Sequence, residues 1–426
     1  MQYPGSLHNH TDFSNLRLRD AIVRSEELIN YAIELGHSVI AFTEHESVSN
    51  AVKIEKYYNK IKKKHPNFKV ILGNEIYLCR DGLNGQNFER GTDRYWHFIL
   101  LAKDAEGHRQ IRELSTRAWM RSYKQGKMRR VPTYYQDVID VIGANPGHVI
   151  GSTACLGGFL DTKLLQWVAQ GRPDSLYQQI IGWVRRMEGL FGKGNFYLEL
   201  QPAANDEQDC ANRELIALSE ITGVPYIITT DTHYMKKEDA PIHKAYLNSQ
   251  DGEREVDSFY ATTYMMSTTE LESYFQNFSE LQLTTAYRNI EKIKEMCQDF
   301  SLLKSLKIPS LEWRLPQTTE LEVAWWYNRI PYLKTFMSSG FDGDKIMARL
   351  IIDKIKSDER LRYQESYDEI NDNLRITWVS SEVNKAHWSA YFLNLQKILD
   401  HCWDSGTIVG PGRGSGVGFY LLYILY

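Results

Sequence analysis

His8-Asn9-His10-Thr11-Asp12-Phe13-Ser14, the stretch HNHTDFS, closes a short β-type run at residues 5–8 at the start of a 426-residue chain. Side chains of an extended segment alternate with period two, so His8 and His10 point to one side. The same alternation pairs Asp231 with His233 in TTDTHYM at 229–235. Between these two stretches Asp20, His45, Glu75, His97 and Cys155 complete a set of nine potential metal ligands within the first 233 residues.

The runs that carry these donors have β character. SVIAF at 38–42, KVILGNEIYL at 69–78, HFILLA at 97–102, HVIGSTA at 148–154, NFYLEL at 195–200 and PYIITT at 225–230 join 5–8 as seven strand candidates. Amphipathic helical patterns at 22–35, 50–64, 105–121 and 206–222 lie between most of them. Strand-helix repetition of this kind predicts a largely parallel sheet, here one α/β barrel of seven strands. The polar, Gly-rich stretch at 80–94 looks instead like an excursion joining two neighbouring strands, and a hairpin there brings Glu75 to His97. In a β/α barrel the loops at the C-terminal strand ends converge on one face. His8 to His10 end the first run, Thr43-Glu44-His45 the second, Cys155 the fifth and Asp231 to His233 the seventh.

Each signal is weak alone. A single His-x-His is commonly incidental, and Cys155 in an apolar, Gly-rich stretch ordinarily packs as a small hydrophobe. Glu75 would serve equally as an edge-strand carboxylate facing water. Independent accidents, however, do not place nearly every donor at a strand end. Imidazole, carboxylate and one thiolate together suit Zn²⁺, Mn²⁺ or Fe²⁺ better than Ca²⁺, whose shell is all oxygen. Two or three such ions side by side point to phosphoester hydrolysis by metal-activated water. The remaining histidines, among them His37, His108 and His243, read as ordinary surface or core residues.

Composition sets the outer limits. With 42% apolar and 24% charged residues and a formal charge of -4, the chain reads as globular, and any nucleic-acid surface must be local. Cys79, Cys155, Cys210, Cys297 and Cys402 are scattered and never form a CxxC pair, which argues against a disulfide framework and for a reducing cytoplasm. The longest apolar stretch, FYLLYILY at 419–426, is far short of a membrane span, and the N-terminus lacks a signal-peptide pattern.

HNHTDFS, TEH, GNEIYL, HFILLAKD, ACLGG, FYLELQ and TTDTHYM, in this order, resemble the PHP (polymerase and histidinol phosphatase) domain, in the version found in bacterial-type DNA polymerase III alpha subunits. The resemblance covers roughly residues 1–280. It implies a distorted, TIM-like seven-stranded β/α barrel in which the nine donors hold two or three Zn²⁺, Mn²⁺ or Fe²⁺ ions. It also implies 3′-5′ proofreading exonuclease activity, with His10, His45, Asp231 and His233 as the catalytic set. Two departures stand out. Glu44 occupies the centre of a motif that is usually Thr-Asp-His, and the spacing from His10 to Asp20 is longer than usual, so Asp12 rivals Asp20 for one ligand position.

IVGPGRGSGVG at 408–418 is similar to the opening of the family-C polymerase palm. Its glycines let backbone N–H groups approach a phosphate closely. By the resemblance, Gly412, Arg413, Gly414 and Ser415 would hold the incoming nucleotide's triphosphate. Residues 281–426 then read as part of an α+β palm that stops before the paired aspartates that hold Mg²⁺, so polymerisation would need a C-terminal remainder, with a clamp or accessory subunits as further partners. Across 103–130 nine Lys/Arg against three Asp/Glu, interleaved with Trp119 and Tyr123, suit single-stranded DNA, with Arg129 and Arg130 as phosphate contacts; a solvated helix face would look the same. A small-molecule phosphatase of the histidinol-phosphatase kind, a non-catalytic metal-stabilised scaffold and a Zn-dependent amidohydrolase barrel are the competing readings.

Overall fold

The computed structural model describes residues 1–16, 19–79, 94–126, 128–249, 260–410 and 418–425. Nine strands form in chain order: β1 Val39–Phe42, β2 Lys69–Cys79, β3 Tyr95–Ala102, β4 Tyr123–Gln125, β5 Met128–Arg130, β6 Pro132–Tyr134, β7 Val149–Ser152, β8 Phe196–Leu200 and β9 Tyr226–Ile228. The main sheet runs β1-β2-β3-β7-β8-β9, with β6 added to β2. β1 is parallel to β2, and β7, β8 and β9 are parallel to one another. β3 alone runs antiparallel to both its neighbours. Its register with β2 pairs Glu75 with Ile99 and Tyr77 with His97, so the expected meeting of Glu75 with His97 is a diagonal one.

The first expected strand, at 5–8, is not a regular one. Residues 4–9 instead supply carbonyls to one sheet edge: Val39 N donates to Pro4 O, Ala41 N to Ser6 O and Thr43 N to Asn9 O, at 3.1, 3.1 and 2.9 Å. On the other side His10 N donates to Thr232 O at 2.8 Å and Thr232 N to His8 O at 3.3 Å, so the segment bridges the two edges of the sheet. Gly5 explains the irregularity. Its φ is +130°, and a Cβ there would lie 2.0 Å from Val39 O, so only glycine permits the approach.

The compact unit Met1–Leu302 extends past the expected boundary at 280. The reason is the helix Glu280–Met296, whose Ala286, Tyr287, Ile290 and Ile293 bury in the same core as the strands. That core includes Phe98 stacked on Phe191 and Phe196, with centroids 5.6 and 6.2 Å apart. The helix Ala105–Met120 starts at Asp104, whose side chain accepts from Gly107 N, and it buries Ile111, Leu114 and Ala118 on one face.

Among its described residues the unit Leu303–Tyr426 holds helices and no strand, the first helix beginning at Glu320. Met347, Ile351 and Ile355 of the helix Asp342–Ser357 form its core with Leu333, Phe336, Ile370 and Leu374. Within the apolar run at 419–426, the helix Tyr420–Leu425 buries Leu421, Ile424 and Leu425. Gly412, Arg413, Gly414 and Ser415 lie outside the described residues. No helix among the described residues is long and apolar enough to cross a membrane.

Candidate metal centre

Strands and loops bring the nine donors into one buried pocket, with Asp20 supplied by the coil before the helix Ser25–Glu34. The 4–10 segment delivers His8 and His10, the loop after β1 delivers His45, and β2 delivers Glu75. His97 comes from β3, Cys155 from the loop after β7, and Asp231 and His233 from the loop after β9. Three non-glycine residues with positive φ adjoin or belong to this set: Glu46 at 51°, Ala154 at 62° and Asp231 at 46°. Such strained backbone persists only where its surroundings over-determine it.

At the centre, His8 Nε2 lies 3.1 Å from His10 Nε2, 3.3 Å from Glu75 Oε2 and 3.1 Å from Asp231 Oδ1. His10 Nε2 lies 3.0 Å from Glu75 Oε2 and 3.1 Å from Asp231 Oδ1. Beside this group His45 Nε2 meets Asp20 Oδ2 at 2.8 Å, and His233 Nε2 is 3.7 Å from the same oxygen. On the other flank His97 Nδ1 is 2.5 Å from Glu75 Oε1 and 3.4 Å from Cys155 Sγ. Asp12, the rival for the Asp20 position, begins a 3-10 helix and is exposed, whereas Asp20 is buried against His45.

The far nitrogens of three histidines are spoken for. His8 Nδ1 meets Glu199 Oε1 at 2.7 Å, and His233 Nδ1 meets the carbonyl of Asp231 at 2.7 Å. Ser14 Oγ donates to Glu44 at 2.6 Å and so accepts from His10 Nδ1, 3.0 Å away. An Nδ1 that donates leaves Nε2 with its lone pair toward the pocket, the arrangement that metal-ligating histidines adopt. Glu44 is thereby accounted for: it is buried, accepts from Thr11, Ser14 and Asn50, and steers Ser14.

Charge in the pocket is unbalanced by position. Burial opposes ionisation of Asp20, yet His233 and His45 hold its carboxyl well below the usual range. Burial opposes Glu75 likewise, and His97 and His45 draw it well down. Burial alone would depress His8, but Asp231 and Glu199 raise it well above its ordinary value. The pocket thus draws a proton or a cation to the ring nitrogens. Glu75 Oε1 and Asp231 Oδ1 are buried without a directed hydrogen bond, although imidazole nitrogens approach within 2.5 and 3.1 Å. Lone pairs converging on common points in this way fit divalent cations. Burial, then Asp231 and Glu75, push the Cys155 thiol well up, a proton that a coordinated cation would expel.

Several supporting residues escape a search for ligands. Glu199 sits in the wholly buried strand β8, held by Ser152 Oγ at 2.6 Å and Thr229 Oγ1 at 2.5 Å. A carboxylate inside an apolar run is itself the signal, since a buried charge demands partners. Tyr260 OH donates to Asp20 Oδ1 at 2.6 Å, and His243 Nε2 lies 2.5 Å from the Asp20 carbonyl, so His243 is no ordinary core residue. The basic residues Arg129 and Arg130 lie on β5, with Arg129 bonded to Ser122 Oγ at 3.1 Å and Arg130 to Gln125 Oε1 at 2.8 Å.

The PHP domain family matches residues 6–203, and the bacterial DNA polymerase III alpha NTPase domain family matches 349–426. A probable DNA polymerase, YorL, of Bacillus subtilis is 34% identical over 98% of this chain and 34% of its own length. The DNA polymerase III subunit alpha of Aquifex aeolicus is 26% identical over 98% of this chain and 33% of its own. The chain therefore spans about a third of the length of the curated relatives it matches. Among solved structures, a putative metal-dependent phosphoesterase from Bifidobacterium adolescentis aligns with 54% of this chain and 87% of its own at 13% identity and a TM-score of 0.32.

Proposed function

We propose that the buried pocket of this chain, whose residues 6–203 match the PHP domain family and 349–426 the bacterial DNA polymerase III alpha NTPase domain family, is a multinuclear metal centre that hydrolyses DNA phosphodiesters from the 3′ end. The observation that carries this reading is the orientation of His8, His10 and His233, each with Nδ1 committed to an acceptor and Nε2 turned toward Glu75, Asp231 or Asp20. His8, His10, Glu75 and Asp231 would hold one ion, Asp20, His45 and His233 a second, and His97 with Cys155 and Glu75 a third. Zn²⁺, Mn²⁺ and Fe²⁺ all suit this donor set. When bound, such ions polarise the scissile phosphate and lower the pKa of an attacking water.

The chain's own residues do the rest. Glu199 and the Glu44–Ser14 pair fix the rings of His8 and His10. Tyr260 and His243 hold the Asp20 carboxylate and backbone. The buried walls keep bulk water away from the charged groups, which strengthens each electrostatic contact. Gly412 to Ser415 would contact a triphosphate, and nucleotide addition would draw on Mg²⁺.

The test is release of nucleotides from a 3′-labelled single-stranded DNA by the purified chain with Mn²⁺ or Zn²⁺. His10→Ala and Asp231→Asn should each lower the rate by about a hundredfold or more. No release by a wild-type chain that still binds two or more ions would replace this reading with a structural metal site.

A further inference from the structure

We infer that Tyr95, capped by Arg130 and braced by Tyr123, is a stacking platform for the unpaired bases of a single-stranded nucleic acid entering the metal centre. The inference rests on the phosphodiesterase reading and names the form of the substrate. Among the nine donors His97 is the most exposed: its side chain is 24% exposed, whereas Asp20, the next most exposed, is at 9%. Tyr95 precedes His97 by two residues on β3. It therefore shares the strand face that carries His97 and lies about 7 Å farther out.

The ring is held in place. Its hydroxyl bonds the Tyr123 hydroxyl, and the Arg130 guanidinium lies 4.9 Å from its centroid. On the opposite face of β3 Arg94 lies 5.5 Å over Trp96, which packs edge-on against Phe159. Tyr95, Trp96, Tyr123 and Arg130 are all part-exposed. The paired strands β4 and β5 hold Lys124, Arg129 and Arg130 and no acidic residue. Part-exposed aromatic rings beside cations, next to the most exposed donor of a phosphodiesterase pocket, match what a single strand requires. Bases stack on the rings while phosphates meet the guanidinium groups. A duplex, whose bases are already stacked, gains nothing from such rings.

The experiment compares the full chain with its Tyr95→Leu, Tyr95→Phe and Arg130→Gln variants, each with metal content equal to wild type as the check on folding. Fluorescence anisotropy reads affinity for a labelled oligothymidylate, and hydrolysis of thymidine 5′-(p-nitrophenyl) phosphate, which has no neighbouring base, reads the metal centre. Tyr95→Leu should weaken oligothymidylate binding by about tenfold or more while hydrolysis of the small diester stays unchanged. Tyr95→Phe should bind as wild type. Arg130→Gln should lower the slope of log affinity against log salt by about 0.7. Wild-type affinity in Tyr95→Leu, or equal losses in Tyr95→Phe and Tyr95→Leu, overturns the platform. If wild type cleaves neither substrate the phosphodiesterase reading fails, and the binding comparison still decides the platform.

Discussion

Glu199 illustrates how one buried carboxylate commits a neighbourhood. Its Oε2 accepts from Ser152 and its Oε1 from Thr229, and Oε1 also faces His8 Nδ1. An ionised group removed from water survives only with such partners. Glu199→Gln keeps the shape but loses the charge that makes His8 a strong donor. Metal affinity measured by chelator competition should fall by about tenfold to a hundredfold. Unchanged affinity would show that His8 is not a ligand. A second residue-scale effect concerns pH. His108 is buried, neither ring nitrogen has a hydrogen-bond partner, and burial lowers its pKa to about 4. Burial lowers His37 to about 4 as well. For a histidine depressed in the folded state, the unfolded chain binds the proton first. Its contribution is fully present above the unfolded value near 6.5 and is lost as pH falls toward 4. Urea titrations should show stability dropping across that window, and His108→Leu should drop less steeply. An identical slope in the variant would contradict the assignment.

At the scale of elements, closure of the sheet depends on a segment that is not a strand. Residues 4–10 join the β1 and β9 sides through a few backbone hydrogen bonds on each, and Gly5 permits the close approach to Val39. Gly5→Ala imposes both a clash and an unfavourable φ, so it should destabilise the chain by more than about 1 kcal/mol in chemical denaturation. A neutral result would mean that the segment can re-route. Most of this level is legible in sequence, because buried parallel strands are short apolar runs and catalytic donors gather where those runs stop. What escapes is physical in origin. Three-residue strands such as β4, β5 and β6 are too short for periodicity to register. Glu199 is masked by apolar neighbours, and the role of His243 depends on a contact more than 200 residues away in sequence. The helix Glu280–Met296 carries no mark of which core it joins, so the boundary at 280 falls short of Leu302. Trp325, whose type suggests packing, is 82% exposed.

At the scale of the whole molecule, the nine donors come from seven points along more than half the chain, and folding alone brings them together. Burying that many imidazoles and carboxylates is costly unless their charge is balanced, and the uncommitted oxygens of Glu75 and Asp231 show where the balance must be supplied. The structure is therefore an argument about cations before it is one about DNA. The most direct measurement is anomalous X-ray scattering from crystals of the full chain grown with Mn²⁺ or Zn²⁺. The account predicts at least two peaks in the pocket, one within bonding distance of His8, His10, Glu75 and Asp231 and another beside Asp20, His45 and His233. Crystals whose pocket shows no anomalous peak, or a single peak away from these donors, would contradict it.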